Sequence, residues 1–349
     1  MKSRIFLILT AALLVTLVAS PVQATLYSVQ HLDFRAFGLN NEGHLVGARD
    51  LGGGYTNPLI WYGPTSRTVL STFGNYSDAV AINNNDQAII SARLGHDEHG
   101  FVWTNGSYTD IGTLGGATTY AHGINDRGQV IGSSEYSLQE WGLHAFLWQD
   151  GAMQDLGTLG GRESYGSGIN NNGDVVGESY TVSGSREAFL WRSGSMAALG
   201  GISSSARDIN DAGQVVGSSP ADGFTRTDAV LWHTSGTMQV LDGFPGSNAN
   251  YALGINGSGH VVGRSGVGNG PSTAFLWANG VTTDLNSLVI GQANLGLYAA
   301  YAINDSGQIL AAGSAYGSYL LTPIPEPSSL LALVGGLGGI GLLRRRSKK

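Results

Sequence analysis

Four consecutive side chains, His96, Asp97, Glu98 and His99, form the densest group of metal-ligating and acid–base residues in the chain. Four adjacent residues cannot all face one ion, so a site there needs ligands from elsewhere. The run falls between the second and third strands of its repeat, where an exposed loop is expected. Asn170-Asn171-Asn172-Gly173-Asp174 resembles a cation loop in outline, yet it lacks the acidic density and bidentate Glu that calcium requires. It reads as a turn. The Gly-rich stretches at 111–116 and 156–161 have no helix after them, so they are connections and not phosphate cradles. No Gly-x-Ser-x-Gly elbow, His-Glu-x-x-His pair or phosphate-loop lysine occurs. No catalytic residue, metal ligand or cofactor is assigned, and a non-enzymatic role is favoured.

A different set of positions can carry recognition. Four residues before the Asn of each Ile-Asn phrase the side chain is small throughout: Ala36, Ala79, Ala121, Gly166, Ala206, Ala252 and Ala300. The next position is mixed: Phe37, Val80, His122, Ser167, Arg207, Leu253 and Tyr301. Asp208, beside Arg207, also replaces a small residue. Uniform residues serve packing, whereas a mixed set can encode a ligand. Drift at solvent-facing positions accounts for the same variation. His122, Arg207, Asp208 and Tyr301 are the candidate ligand-binding residues, joined by Trp141, which stands off the repeat register near Tyr136.

The elements that must position them come from a repeat. The key asparagines are Asn40, Asn83, Asn125, Asn170, Asn210, Asn256 and Asn304, spaced by 43, 42, 45, 40, 46 and 48 residues. Six tryptophans, Trp61, Trp103, Trp148, Trp191, Trp232 and Trp277, keep a register of their own, and Leu321 takes the seventh place. One position shared by six copies means core, not a sugar-stacking platform. Each copy reads as four short strands: one ending in Ile-Asn, one of the Gln-Val-Val-Gly type, one carrying Ala-Phe-Leu-Trp, and one of the Met-Gln-Asp-Leu type. The second and third are continuous apolar runs, which predicts burial on both faces. Asn125-Asp126-Arg127-Gly128 and its equivalents predict a type I turn, with the Asn side chain bonding its own backbone. Residues 25–33 match a fourth strand with nothing before it, and residues 302–322 supply three strands with no fourth after them. The expectation is an all-β, seven-bladed β-propeller of four-stranded blades over residues 25–324, its N-terminal strand completing the last blade.

Both ends read as addresses. Lys2 and Arg4, an apolar stretch to Val18 and small residues up to Ala24 predict a signal peptide over 1–24, cleaved after Ala24. At the C-terminus, Pro325-Glu326-Pro327 precedes an apolar segment of 16 residues (328–343) and a final Arg/Lys cluster, which predicts a membrane helix with the preceding chain outside. The triplet, Gly-rich apolar segment and basic end at 325–349 together resemble the PEP-CTERM sorting signal. That resemblance implies an exosortase-type processing enzyme as partner, a Gram-negative source, transient inner-membrane anchoring, and release to the cell surface or an exopolysaccharide matrix. His144-Ala145-Phe146, the Leu-Gly-Thr-Leu-Gly-Gly phrase and Ile-Asn-Asp-x-Gly-Gln-Val-Val-Gly are similar to the bacterial extracellular HAF-repeat family. The likeness spans roughly residues 25–322, and the family implies an exported repeat protein.

Charge narrows the partners. Setting aside seven basic residues at the two ends, and Glu326, leaves 11 basic and 24 acidic side chains in the body, a net of −13. Such a body repels phosphate backbones and excludes nucleic acid. With no cysteine, disulfides and Cys-based zinc sites are also excluded. The expected function is an exported, surface- or matrix-associated binding or scaffold module for extracellular polysaccharide or surface proteins. The alternative is a hydrolase or lyase acting on extracellular polysaccharide. A hydrolase needs two carboxyl groups about 5–10 Å apart, and Asp208, Asp97 and Glu98 are the candidates for them.

Overall fold

The structure, a computed structural model, describes residues 25–325 apart from 75, 140–141, 222–224, 269, 292–294 and 315–316. The signal segment with Ala24, Trp141, and Glu326, Pro327 and the apolar tail all lie outside the described residues. Among the described residues no helix is long and apolar enough to cross a membrane.

The chain is a ring of antiparallel sheets, each running outward from a central channel. A representative sheet is Thr119–Ile124, Val130–Glu135, Leu143–Gln149 and Ala152–Asp155, paired in sequence order. The strand nearest the channel ends in Ile-Asn, and the turn after it forms as the residue types dictate. The Gly128 N–H donates to the Asn125 carbonyl (3.0 Å), with Gly128 at φ +75°. Asp86 takes the place of that glycine in its repeat and adopts φ +58°.

The expectation of seven separate four-stranded blades is corrected by the pairing. Five sheets are separate blades of four strands, and a further sheet has eight. The eight-stranded sheet spans Ser205–Ile209 to Val281–Asp284. One parallel bridge, Thr227 with Ala249, supported by the Thr227 N–H on the Asn248 carbonyl (2.9 Å), fuses what the repeat pattern treats as two units. The ring is closed by Tyr27–Leu32, which pairs along its length with Ser318–Pro323 and becomes the outer strand of the sheet containing Leu297–Ile303.

The core lies between successive sheets. One cluster packs Ile89 and Val102 of one sheet against Val130, Phe146 and Trp148 of the next. Glycine is required where neighbouring strands press closest: a Cβ on Gly132 would overlap the Tyr120 carbonyl oxygen. Trp61, Trp103, Trp148, Trp191 and Trp232 are buried, and Trp277 is half-buried.

Every inner strand shares one irregularity at the same place, and the strands Gly160–Ile169 and Leu297–Ile303 carry a second nearer their start. The pairing skips Phe37, Val80, His122, Ser167, Arg207, Leu253 and Tyr301. These are the mixed positions of the repeat. A bulged residue leaves the ladder and its side chain is re-aimed.

Candidate functional site

Two faces of the ring carry polar chemistry of different kinds. At the face holding the Ile-Asn turns, each key asparagine reaches across to its neighbour. Asn40 Nδ2 donates to the Asn83 carbonyl (3.1 Å), Asn83 to Asn125 (2.9 Å), Asn125 to Asn170 (2.9 Å) and Asn170 to Asn210 (3.2 Å). Asn210 continues to Asn256 (3.0 Å), Asn256 to Asn304 (3.1 Å), and Asn304 returns to Asn40 (2.9 Å). The circuit is closed. The same side chains also accept from their own turns, as Asn125 Oδ1 does from the N–H groups of Arg127 and Gln129.

A second belt lies one residue on. Asn41, Asn84, Asp126, Asn171, Asp211 and Asp305 are linked by backbone N–H to side-chain oxygen bonds of 2.7–3.0 Å. It is interrupted at Gly257, which has no side chain to offer the Asp211 N–H. A cavity of about 200 Å³ is lined by these belts and the isoleucines beneath them. Its carboxylates accept from asparagine amides, as Asp126 Oδ2 does from Asn84 and Asn171. The belts clamp the sheets together.

Of the candidate ligand residues, His122 and Arg207 share the channel. His122 keeps exposed surface although protein surrounds it, as a residue lining a narrow water-filled passage does. Its Nδ1 lies 2.9 Å from the Gly166 carbonyl, which can only accept, so Nδ1 carries the proton and Nε2 keeps its lone pair. Burial lowers the imidazole below its ordinary value; the Gly166 bond opposes this and nearby Arg207 adds to it. The ring is held neutral.

Asp208 is a strut. Its two oxygens accept from the N–H groups of Ile209 (2.9 Å) and, in the next repeat of the same eight-stranded sheet, Ile255 (2.9 Å). Burial pushes its carboxyl up to about 6, against those two bonds. A carboxyl raised from about 3.9 in the unfolded chain adds stability in full below pH 4, and that contribution is lost as pH rises through 6. Stability is therefore expected to fall by about 2 kcal/mol between pH 4 and pH 7, allowing for water reaching it from the channel. Asp208→Gly, the residue type at Gly123 and Gly168, should flatten that part of the profile in urea unfolding at pH 4, 5, 6 and 7. An unchanged slope in the variant would rule Asp208 out as its source.

His96–His99 is not the loop that was expected. Leu94 pairs with Asp97 and Arg93 with Glu98, so only Gly95 and His96 turn the corner, and Asp97, Glu98 and His99 lie in the strand Asp97–Thr104. Successive strand residues face opposite ways. Glu98 sits 3.6 Å from Arg93, and His99 Nδ1 lies 3.7 Å from Asp110. In the next sheet His144 Nδ1 meets Asp155 at 2.8 Å, so the histidine of the His-Ala-Phe phrase clasps the outer strand. Among the described residues no group of three or more His, Asp or Glu is placed to hold a metal.

The second face carries a pocket that sequence reasoning missed. It lies at the seam where the last sheet meets the first, encloses about 630 Å³, and is lined by Arg35, Phe37, Tyr298, Tyr301, Gly317 and Ser318, with Ala36 and Ala312 behind. Its volume is within the ~300–1,000 Å³ usual for ligand sites. A short connection leaves it open. Buried Leu32, Ile111 and Leu156 occupy equivalent places at the ends of outer strands. Ten residues lead from Ile111 to Ala121 and ten from Leu156 to Gly166, but only four from Leu32 to Ala36. The Leu-Gly-Thr-Leu-Gly-Gly segment that covers the corresponding junctions is absent here. Tyr301 therefore joins this pocket, away from Asp208.

No family model matches the chain, and no curated protein matches it. Among solved structures, the β-propeller domain of the Trilobed protease from Pyrococcus furiosus is similar at TM-score 0.53 and 10% identity, over 74% of this chain and 84% of that one. Virginiamycin B lyase from Staphylococcus aureus is similar at TM-score 0.52 and 11% identity, over 85% and 100%. Acylaminoacyl peptidase from Pyrococcus horikoshii is similar at TM-score 0.52 and 11% identity, over 88% and 53%. At such identities the likeness shows the β-propeller fold and nothing finer.

Proposed function

We propose that the chain is an exported propeller that binds extracellular polysaccharide or surface proteins without acting on them. The reading of its ends, signal peptide, PEP-CTERM tail and exosortase partner, puts it transiently on the inner membrane of a Gram-negative bacterium and then in the surface matrix. The HAF-like phrases agree with that address. The observation that carries the binding role is the seam pocket: two tyrosines, a phenylalanine and an arginine converge on an open cavity, and no carboxylate is among the described residues that line it. A glycoside hydrolase needs a carboxyl pair. Asp208 is engaged by the backbone N–H groups of Ile209 and Ile255, while Asp97 and Glu98 follow one another on a strand. Purified protein would be screened against glycans and bacterial exopolysaccharides, with reducing-sugar release followed in the same wells. Binding without release is the expected result. Release of sugar would replace the binding role with the hydrolase or lyase alternative, and silence in both channels would turn the search to protein partners.

A further inference from the structure

Arginine placement on this acidic body is uneven. Arg67, Arg93, Arg186, Arg192 and Arg226 each face a carboxylate within 2.7–3.6 Å. Arg35, Arg49, Arg127, Arg162, Arg207 and Arg264 have no such partner among the described residues, and all six are exposed. A body of net charge −13 has carboxylates to spare, so a guanidinium left without one is available to an outside anion.

Two of the six are held by aromatic rings. The Arg35 guanidinium lies 5.2 Å from the Phe37 ring centre, and that of Arg264 4.5 Å from Tyr251. Stacking fixes the planar group while its N–H edges stay free. Both arginines act on the same phenol. Burial and the neighbouring Tyr298 raise the Tyr301 hydroxyl above its ordinary value, and Arg264 and Arg35 pull it back. Tyr298 and Tyr301 line the cavity and are 38% and 44% exposed, so each leaves part of its side chain open to a ligand. Ser318 Oγ accepts from the Ala36 N–H (3.1 Å), which leaves its own O–H to donate inward.

Aromatic faces suit the C–H face of a pyranose, hydroxyl donors suit its oxygens, and an unpaired guanidinium suits a carboxylate. We infer that the seam pocket takes one carboxylated sugar residue, a hexuronate unit of an acidic polysaccharide, with Arg35 on the carboxylate and Tyr298 and Tyr301 against the ring. The assignment rests on the binding role proposed above and narrows it to a ligand class.

Isothermal titration of the full chain with tetragalacturonate, and with the same oligomer fully methyl-esterified, tests it. The acid is expected to bind at least about tenfold more tightly than the ester, and the difference should shrink as salt rises. Arg35→Gln should weaken the acid at least about tenfold and leave the ester unchanged. Arg35 is exposed and makes no ion pair, so the variant should keep its thermal midpoint. Tyr301→Ala should weaken both ligands, and Arg127→Gln, in a turn on the opposite face, neither. Equal binding of acid and ester, or an Arg35→Gln protein that binds like wild type, overturns the anionic-sugar assignment. Affinity for neutral oligosaccharides alone also overturns it, yet leaves the glycan-binding role standing. Unsaturated uronate accumulating with time would do the reverse: the sugar class would hold and the non-enzymatic role would fall.

Discussion

Asn125→Ala is expected to destabilise the fold by about 3–5 kcal/mol, although it deletes one small polar side chain from a turn. Asn125 is 4% exposed and uses every hydrogen-bonding position of its amide. Nδ2 donates to Gln129 Oε1 (2.7 Å) and to the Asn170 carbonyl (2.9 Å), and Oδ1 accepts from the Arg127 and Gln129 N–H groups. Alanine leaves two N–H donors and two acceptors short of a partner in a site with little room for water. Each buried group so orphaned costs about 1–3 kcal/mol. Urea unfolding measures the total. Asn125→Asp separates the turn from the belt: the carboxylate can still accept from both N–H groups but faces two oxygens where an amide donated. It should cost about as much as alanine at pH 7 and less as the carboxyl protonates toward pH 4. A loss below about 1 kcal/mol for alanine would mean that the belt does not join the sheets.

The second large effect concerns closure. Removing residues 25–33 takes away the outer strand of the last sheet, with six paired residues and the buried side chains of Tyr27 and Leu32. Those two side chains are worth about 2–3 kcal/mol each by area, so a loss of at least about 5 kcal/mol is expected. The Ser318–Pro323 strand becomes an open edge, and open edges recruit other chains. Light scattering should detect association of the shortened protein, and a synthetic peptide of residues 25–33 added in trans should suppress it and restore the thermal midpoint. A shortened chain that stays monomeric with the full-length midpoint would refute closure through this strand.

Much of this fold is legible in the repeat because apolar runs and turn residues recur with it. The four strands per copy and the pairing of residues 27–32 at the far end both follow from counting strands. The fusion of two units into an eight-stranded sheet does not, because a backbone bridge between Thr227 and Ala249 leaves no side-chain pattern. A turn bonding its own backbone accepts Asp or Ser, and even the turn glycine gives way to Asp86. Asn at all seven positions demanded a donor as well as an acceptor, and the carbonyl of the next repeat is what it serves. The mixed positions show in the sequence as a break in symmetry but not as bulges, since the extra residue is visible only in the register. Of the candidates, His122 and Arg207 share the channel, Asp208 is structural and Tyr301 belongs to the seam. That pocket had a signal too: Leu32 and Ala36 stand four positions apart, where Ile111 and Ala121, and Leu156 and Gly166, stand ten apart.

The closing strand also sets a direction. Tyr27 pairs with Pro323, and the Ile324 N–H donates to the Leu26 carbonyl at 2.8 Å, so the polypeptide enters and leaves the ring at one spot. Pro323 lies against Gly307, in a turn of the asparagine face. Gly317 and Ser318, at the other end of the same strand, line the seam pocket about 17 Å away at ~3.3 Å per residue. A chain held by its C-terminal tail would hang from the asparagine face like a lamp from its flex, with the pocket on the far side. An acidic polymer drifting in from the surroundings would then meet Arg35 and the tyrosines first, with the surface that holds the tether out of its way.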